Sequence, residues 1–165
     1  GNLRQTDFTA PSEERDFWGG AGAFQETLAE ELIPRIEARY RSDPERRILF
    51  GHSLGAQFVL YSALTRPQLF HGHIASSPAL HRNLPFFLAW RGEGDMPEAG
   101  GRLFASIGDA EPREFTIPYT EWAIHWQSAE RRPWRLKTRT LPGQTHMSAV
   151  PEAFRRGLAW VLADD

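Results

Sequence analysis

Ser53 stands between two glycines in Gly51-His52-Ser53-Leu54-Gly55. A serine hydroxyl is a weak nucleophile. It becomes a useful one when a base takes its proton and fixed donors receive the charge that develops. Apolar residues from Ile48 to Phe50 lead into the segment, and a helical repeat through Leu54, Phe58, Tyr61 and Leu64 leads out of it. A serine on a tight strand-to-helix turn is lifted clear of the sheet, and the flanking glycines avoid side chains that would crowd neighbouring backbone. The Leu54 N–H, at the start of the helix, is then an oxyanion donor. Nucleophilic acyl transfer is the chemistry that such a turn serves. The same five residues could occur by chance in a loop, but the strand before and the helix after argue against that.

The serine needs a base, and six histidines are available: His52, His71, His73, His81, His125 and His146. In sites of this kind the acid and then the histidine follow the serine along the chain. Only His146, in "LPGQTHMSAV", follows the fourth strand candidate and precedes a terminal helix. His125 falls mid-helix beside Trp126 and reads as a packing or surface residue. His71 and His73 are two apart on a strand edge, but no carboxylate or cysteine pattern accompanies them, so no metal is expected. His52, adjacent to the nucleophile, is expected to line the substrate pocket. The acid is sought after the third strand, where "SIGDAEPREF" offers Glu111, three residues beyond Gly108, and Asp109. Glu111 is favoured, Asp109 is the alternative, and a site with no essential acid is the third reading. Either could instead serve a helix N-terminus.

The elements that must position these residues alternate. Residues 1–22 carry Pro11, Gly19, Gly20 and Gly22 among polar residues and read as loop. Helical spacing runs from Ala23 to about Arg41, interrupted by Pro34, which should kink or restart the helix. Strands are expected at Arg47–Phe50, Gly72–Ser76, Arg102–Gly108 and Trp134–Gly143. Further helices follow through Phe115, Tyr119, Trp122 and Trp126, and through Val150, Phe154, Leu158 and Val161. This alternation implies an α/β fold, a parallel sheet with helices on both faces, in one domain over 1–165.

Composition narrows the function classes. The 165 residues are 41% hydrophobic and 12% aromatic with a net charge of −2, as in an ordinary globular chain. No basic stripe suggests a nucleic acid partner. Cysteine is absent, which excludes disulfides and thiolate chemistry. No apolar run approaches the roughly 18 residues of a membrane span, so no membrane partner is expected. The first residues are polar, without a secretory pattern, and the compartment, cytoplasmic or periplasmic, stays open. "GGAGAF" lacks the Lys-Ser/Thr of a phosphate-binding loop, and no cofactor is expected.

The segment from Leu32 to Asn83, with "GDAE" and "LPGQTHMSAVPEAFRRGLAWVL", resembles the esterase branch of the α/β hydrolases that includes enterobactin and salmochelin esterases and esterase D-like enzymes. Ala56 stands where that branch often has a third glycine. The resemblance implies hydrolysis of a small-molecule ester through an acyl-enzyme. It also implies strands and a second oxyanion N–H from a portion preceding the loop that "GNLRQTDFTAP" resembles. That leaves Arg47–Phe50 with an open sheet edge. The expected outcomes are pairing with a second copy, cover by residues 1–22, or completion by further polypeptide, with weak turnover in the meantime. A non-catalytic binding module of the same fold is the alternative function.

Overall fold

In the computed structural model, residues 3–13, 15–89 and 101–163 are described. Residues 1, 2 and 14 of the expected leading loop lie outside them. The sheet has four parallel strands in the order β1 (Ile48–His52), β2 (Gly72–Ser76), β3 (Gly101–Gly108) and β4 (Trp134–Leu141). Registers run Phe50 to Ile74 to Phe104 to Lys137, so strand C-termini share one end of the sheet. Sequential parallel pairing requires a crossover between each strand and the next. These crossovers carry α4 (Leu54–Thr65) after β1, α5 (Leu84–Ala89) after β2 and α6 (Arg113–Ser128) after β3, while α7 (Ala149–Val161) follows β4.

Alternation along the strands builds two layers. Ala75, Leu103, Ala105 and Ile107 pack with Val59, Leu60 and Ala63 of α4 and with Tyr119, Trp122 and Trp126 of α6. Ile74 and Phe104 face the other way, against Leu158 and Val161 of α7. Helix α7 lies close to the sheet because two glycines permit it. A Cβ on Gly157 would come within 2.5 Å of Ile74, and one on Gly72 within 2.8 Å of Val161. Arg102 reaches from β3 to donate to the Trp160 and Ala163 carbonyls, both at 2.7 Å, satisfying the exposed C-terminal end of α7.

Two expectations change. The leading residues are not all loop: α1 (Arg4–Asp7) is a short helix. They pack on α2 (Ala21–Thr27) and α4, with Asn83 donating to the Pro11 carbonyl at 2.7 Å. They therefore do not cover the edge of β1, which among the described residues pairs with β2 alone. At Pro34 the helix restarts, as its position suggested. A widened π turn over Leu28–Leu32 leads directly into α3 (Ile33–Arg39). Proline lacks an N–H and its ring crowds the carbonyl four residues back, and the wider turn accommodates both. Along this stretch Leu32, Ile36 and Tyr40 are exposed. The spacing reports an amphipathic helix whose apolar stripe stays partly open to solvent.

Candidate active site

The turn after β1 has the expected form. Ser53 has φ 58 and ψ −115, a conformation that strains any residue with a Cβ. It occupies the N-cap position of α4, where a serine normally accepts from the first helical N–H groups, yet its side chain makes no cap hydrogen bond. The hydroxyl is thus left unused by the helix. The turn is fixed instead through backbone: Ser53 N–H donates to the Ser76 carbonyl at 3.0 Å, and its own carbonyl accepts from Gln57 and Ala79. Leu54 is the first residue of α4, so its N–H has no partner in the preceding turn of helix. Of the two glycines only Gly51 is required sterically. Its Cβ would meet the Gly55 carbonyl at 2.2 Å, whereas a Cβ on Gly55 would meet nothing within 4 Å.

His146 sits in the loop between β4 and α7, and its Nδ1 lies 2.7 Å from Glu111 Oε2. The Glu111 side chain is fully buried, while that of His146 is 23% exposed. Glu111 Oε1 accepts from the Gly108 N–H at 2.8 Å and the Ser77 hydroxyl at 2.5 Å. The other carboxylate, Asp109, is exposed and accepts from the Gly143 N–H at 2.7 Å, which ties the acid loop to the histidine loop. Gly108 allows this junction, since a Cβ there would lie 2.1 Å from the Gln144 carbonyl. With Nδ1 facing a carboxylate, the imidazole proton belongs on Nδ1 and Nε2 is the basic nitrogen.

His52 lies beside this pair, its ring 4.5 Å from that of His146, and Phe115 packs on the imidazole at 4.3 Å. His52 Nδ1 is 3.2 Å from Ser76 Oγ, and its Nε2 is buried without a partner. Burial, together with the neighbouring His146, pushes the His52 imidazole below its ordinary value. His81 extends the aromatic row, 4.7 Å from Phe115. Among the described residues no hydrogen bond joins Ser53 Oγ to His146. The remaining histidines are elsewhere. His71 contacts the Val161 carbonyl, His73 is buried in β2, and His125 packs on Trp126. No group of three or more metal-ligating side chains occurs among the described residues. Sequence reasoning passed over Ser77 and Phe115. The pair Ser76-Ser77 at the end of a fully buried strand was the available signal for the former.

A parallel sheet with a strained serine at the C-terminal end of a strand, and a histidine on a buried carboxylate at the same end, defines an α/β hydrolase. A family model described as "Putative esterase" matches residues 7–153, and the chain belongs to that family. The ferri-bacillibactin esterase BesA of Bacillus subtilis (strain 168) is 42% identical over 98 residues, covering 53% of this chain and 34% of that protein. The apo-salmochelin esterase of Escherichia coli O6:H1 is 32% identical over 98 residues, covering 53% and 30%. Among solved structures, the BES protein from Bacillus cereus superposes with a TM-score of 0.78 at 25% identity, covering 98% of this chain and 64% of that one. An IroE-like serine hydrolase from Shewanella oneidensis reaches 0.82 at 20% identity, covering 100% and 59%, a likeness of fold. The matches span about a third of each of these curated relatives and less than two thirds of each of these solved chains.

Proposed function

We propose that the chain carries the nucleophile, base and acid of a serine esterase that hydrolyses a small-molecule carboxylic ester, with siderophore esters as the substrate class. The observation that carries this reading is Ser53, strained and unused as a helix cap, at the sheet end that also holds His146 on Glu111. Ser53 Oγ attacks the ester carbonyl carbon while His146 Nε2 takes its proton. The Leu54 N–H receives the oxyanion. Collapse expels the alcohol, which takes the proton from His146, and water attacking the acyl-enzyme reverses the sequence. Glu111 holds the imidazole tautomer and stabilises its charged form. His52 and Phe115 form the wall beside the base. The substrate class is drawn from the relatives, several of which are named as siderophore esterases.

A second reading, a binding module that retains the fold, is favoured by the missing Ser53–His146 hydrogen bond. Such bonds are often long without substrate and tighten on binding, so the catalytic reading stands ahead of it. Incubation with p-nitrophenyl acetate and with a triester siderophore, followed by mass spectrometry of products, separates the two. Cleavage that disappears in Ser53→Ala supports the esterase. Binding of the siderophore without cleavage by a folded chain supports the module.

A further inference from the structure

Glu111 has three hydrogen-bond donors, and one of them, Ser77, belongs to none of the roles above. Ser77 follows the last residue of β2 and is fully buried. Its φ is 49, in the left-handed region that favours glycine. Its N–H donates to the Ser106 carbonyl at 2.8 Å, which fixes it across the ends of β2 and β3. Its hydroxyl donates to Glu111 Oε1 at 2.5 Å. A turn that only redirected the chain would be better served by glycine, so what serine adds here is the hydroxyl. The Gly108 N–H takes the other side of Oε1, and Oε2 is left to His146. Two donors converging on one oxygen prevent the carboxylate from turning about its last bond.

We propose that Ser77 is a positioning residue. Its hydroxyl locks the Glu111 carboxylate so that Oε2 faces His146 Nδ1 and the imidazole presents Nε2 toward Ser53. This rests on the esterase reading for its effect on turnover, but not for its effect on His146. Without the hydroxyl the carboxylate keeps one donor and turns, the pairing with His146 loosens, and the imidazolium loses stabilisation. The charged and titratable groups facing His146 are Glu111 from the loop after β3, His52 from β1 and His81 from the turn after β2. Only the first is touched by Ser77.

The test is Ser77→Gly, which adopts the same backbone without strain and removes only the side chain, with Ser77→Ala as the second variant should the first not fold. Two quantities are read: kcat and KM for p-nitrophenyl acetate across pH, and the titration of His146 by NMR on isotope-labelled chain. The expected result is a loss of kcat of roughly 10–100-fold, the size seen when the hydrogen-bond partner behind a metal ligand is removed, with KM within about twofold. The His146 titration midpoint moves down, and the acid limb of the rate profile moves with it. A variant with wild-type kcat, or one whose His146 midpoint is unchanged or raised, overturns the proposal. Should the wild type itself show no turnover, fluorophosphonate labelling of Ser53 decides the esterase reading, and the NMR titration alone decides the role of Ser77.

Discussion

At the scale of single residues, strain and burial mark the site. Ser53 is held by backbone hydrogen bonds rather than by its hydroxyl, so removing the hydroxyl should leave the fold intact. Ser53→Ala is expected to abolish ester hydrolysis with a melting curve close to wild type, and residual turnover within tenfold of wild type would remove Ser53 from its role. Glu111→Gln should lower kcat by far more than Asp109→Asn, because Glu111 meets the imidazole and Asp109 meets a loop N–H. The reverse ranking would reassign the acid. A third residue sets the response to acid. His73 is fully buried in β2, neither ring nitrogen has a partner, and burial pushes its imidazole down to about 3. An unfolded histidine titrates near 6.5, so between these values the unfolded chain binds the extra proton. The contribution is fully present above about 6.5, is lost as pH falls, and stops changing below about 3. The loss amounts to roughly 2 kcal/mol by pH 5. His73→Leu should therefore gain stability relative to wild type at pH 5 over what it shows at pH 8, measured by urea denaturation. An equal difference at both pH values would contradict this.

At the scale of elements, the closest approaches between backbones decide where chemistry can sit. Gly108 lies against the Gln144 carbonyl, where the acid loop meets the histidine loop. Gly108→Ala should displace that junction at a cost of about 1–3 kcal/mol and depress turnover further than stability alone explains. Gly157→Ala, which pushes α7 off Ile74 without touching that junction, should cost similar stability but leave kcat nearer wild type. Equal kinetic losses from both would mean that the junction has no special part. Elements of this kind were legible in the sequence where one pattern dominated. Leu54–Thr65 and Gly72–Ser76 appear with the expected bounds because glycine, proline or a change of period closes each end. The placement of Ser53, His146 and Glu111 at one end of the sheet was legible from order along the chain and from strand-end positions. The contacts of Ser77, the packing of Phe115 and the wide turn before Pro34 were not. They depend on what meets a segment from a distant part of the chain, which local periodicity does not encode. Gly55 shows the converse, since the motif suggests crowding at that position and the packing leaves it open.

At the scale of the whole molecule, the two edges of the sheet differ. The β4 edge carries Arg135, Lys137 and Arg139, the charged pattern that discourages strand addition. The β1 edge carries Ile48, Leu49 and Phe50, and beside it α3 is tied by the Arg47–Glu37 ion pair and exposes Ile36. Where no further polypeptide covers it, the β1 side is expected to self-associate, and Leu32→Glu with Ile36→Glu should lower the mass seen by light scattering without changing the circular dichroism. A monomeric wild type at micromolar concentration would contradict it. An oxyanion donor is worth roughly 10²–10³ in kcat, so turnover depends on every such donor as well as on the serine. Turnover is therefore a less direct probe of the site than reactivity of the serine itself. The decisive measurement is labelling with a fluorophosphonate, located by mass spectrometry of the digested chain. Modification of Ser53 in the wild type, strongly reduced in His146→Ala, is the predicted result. A folded chain that remains unlabelled, or one labelled equally with and without His146, would show that Ser53 is an ordinary serine and that the esterase assignment is wrong.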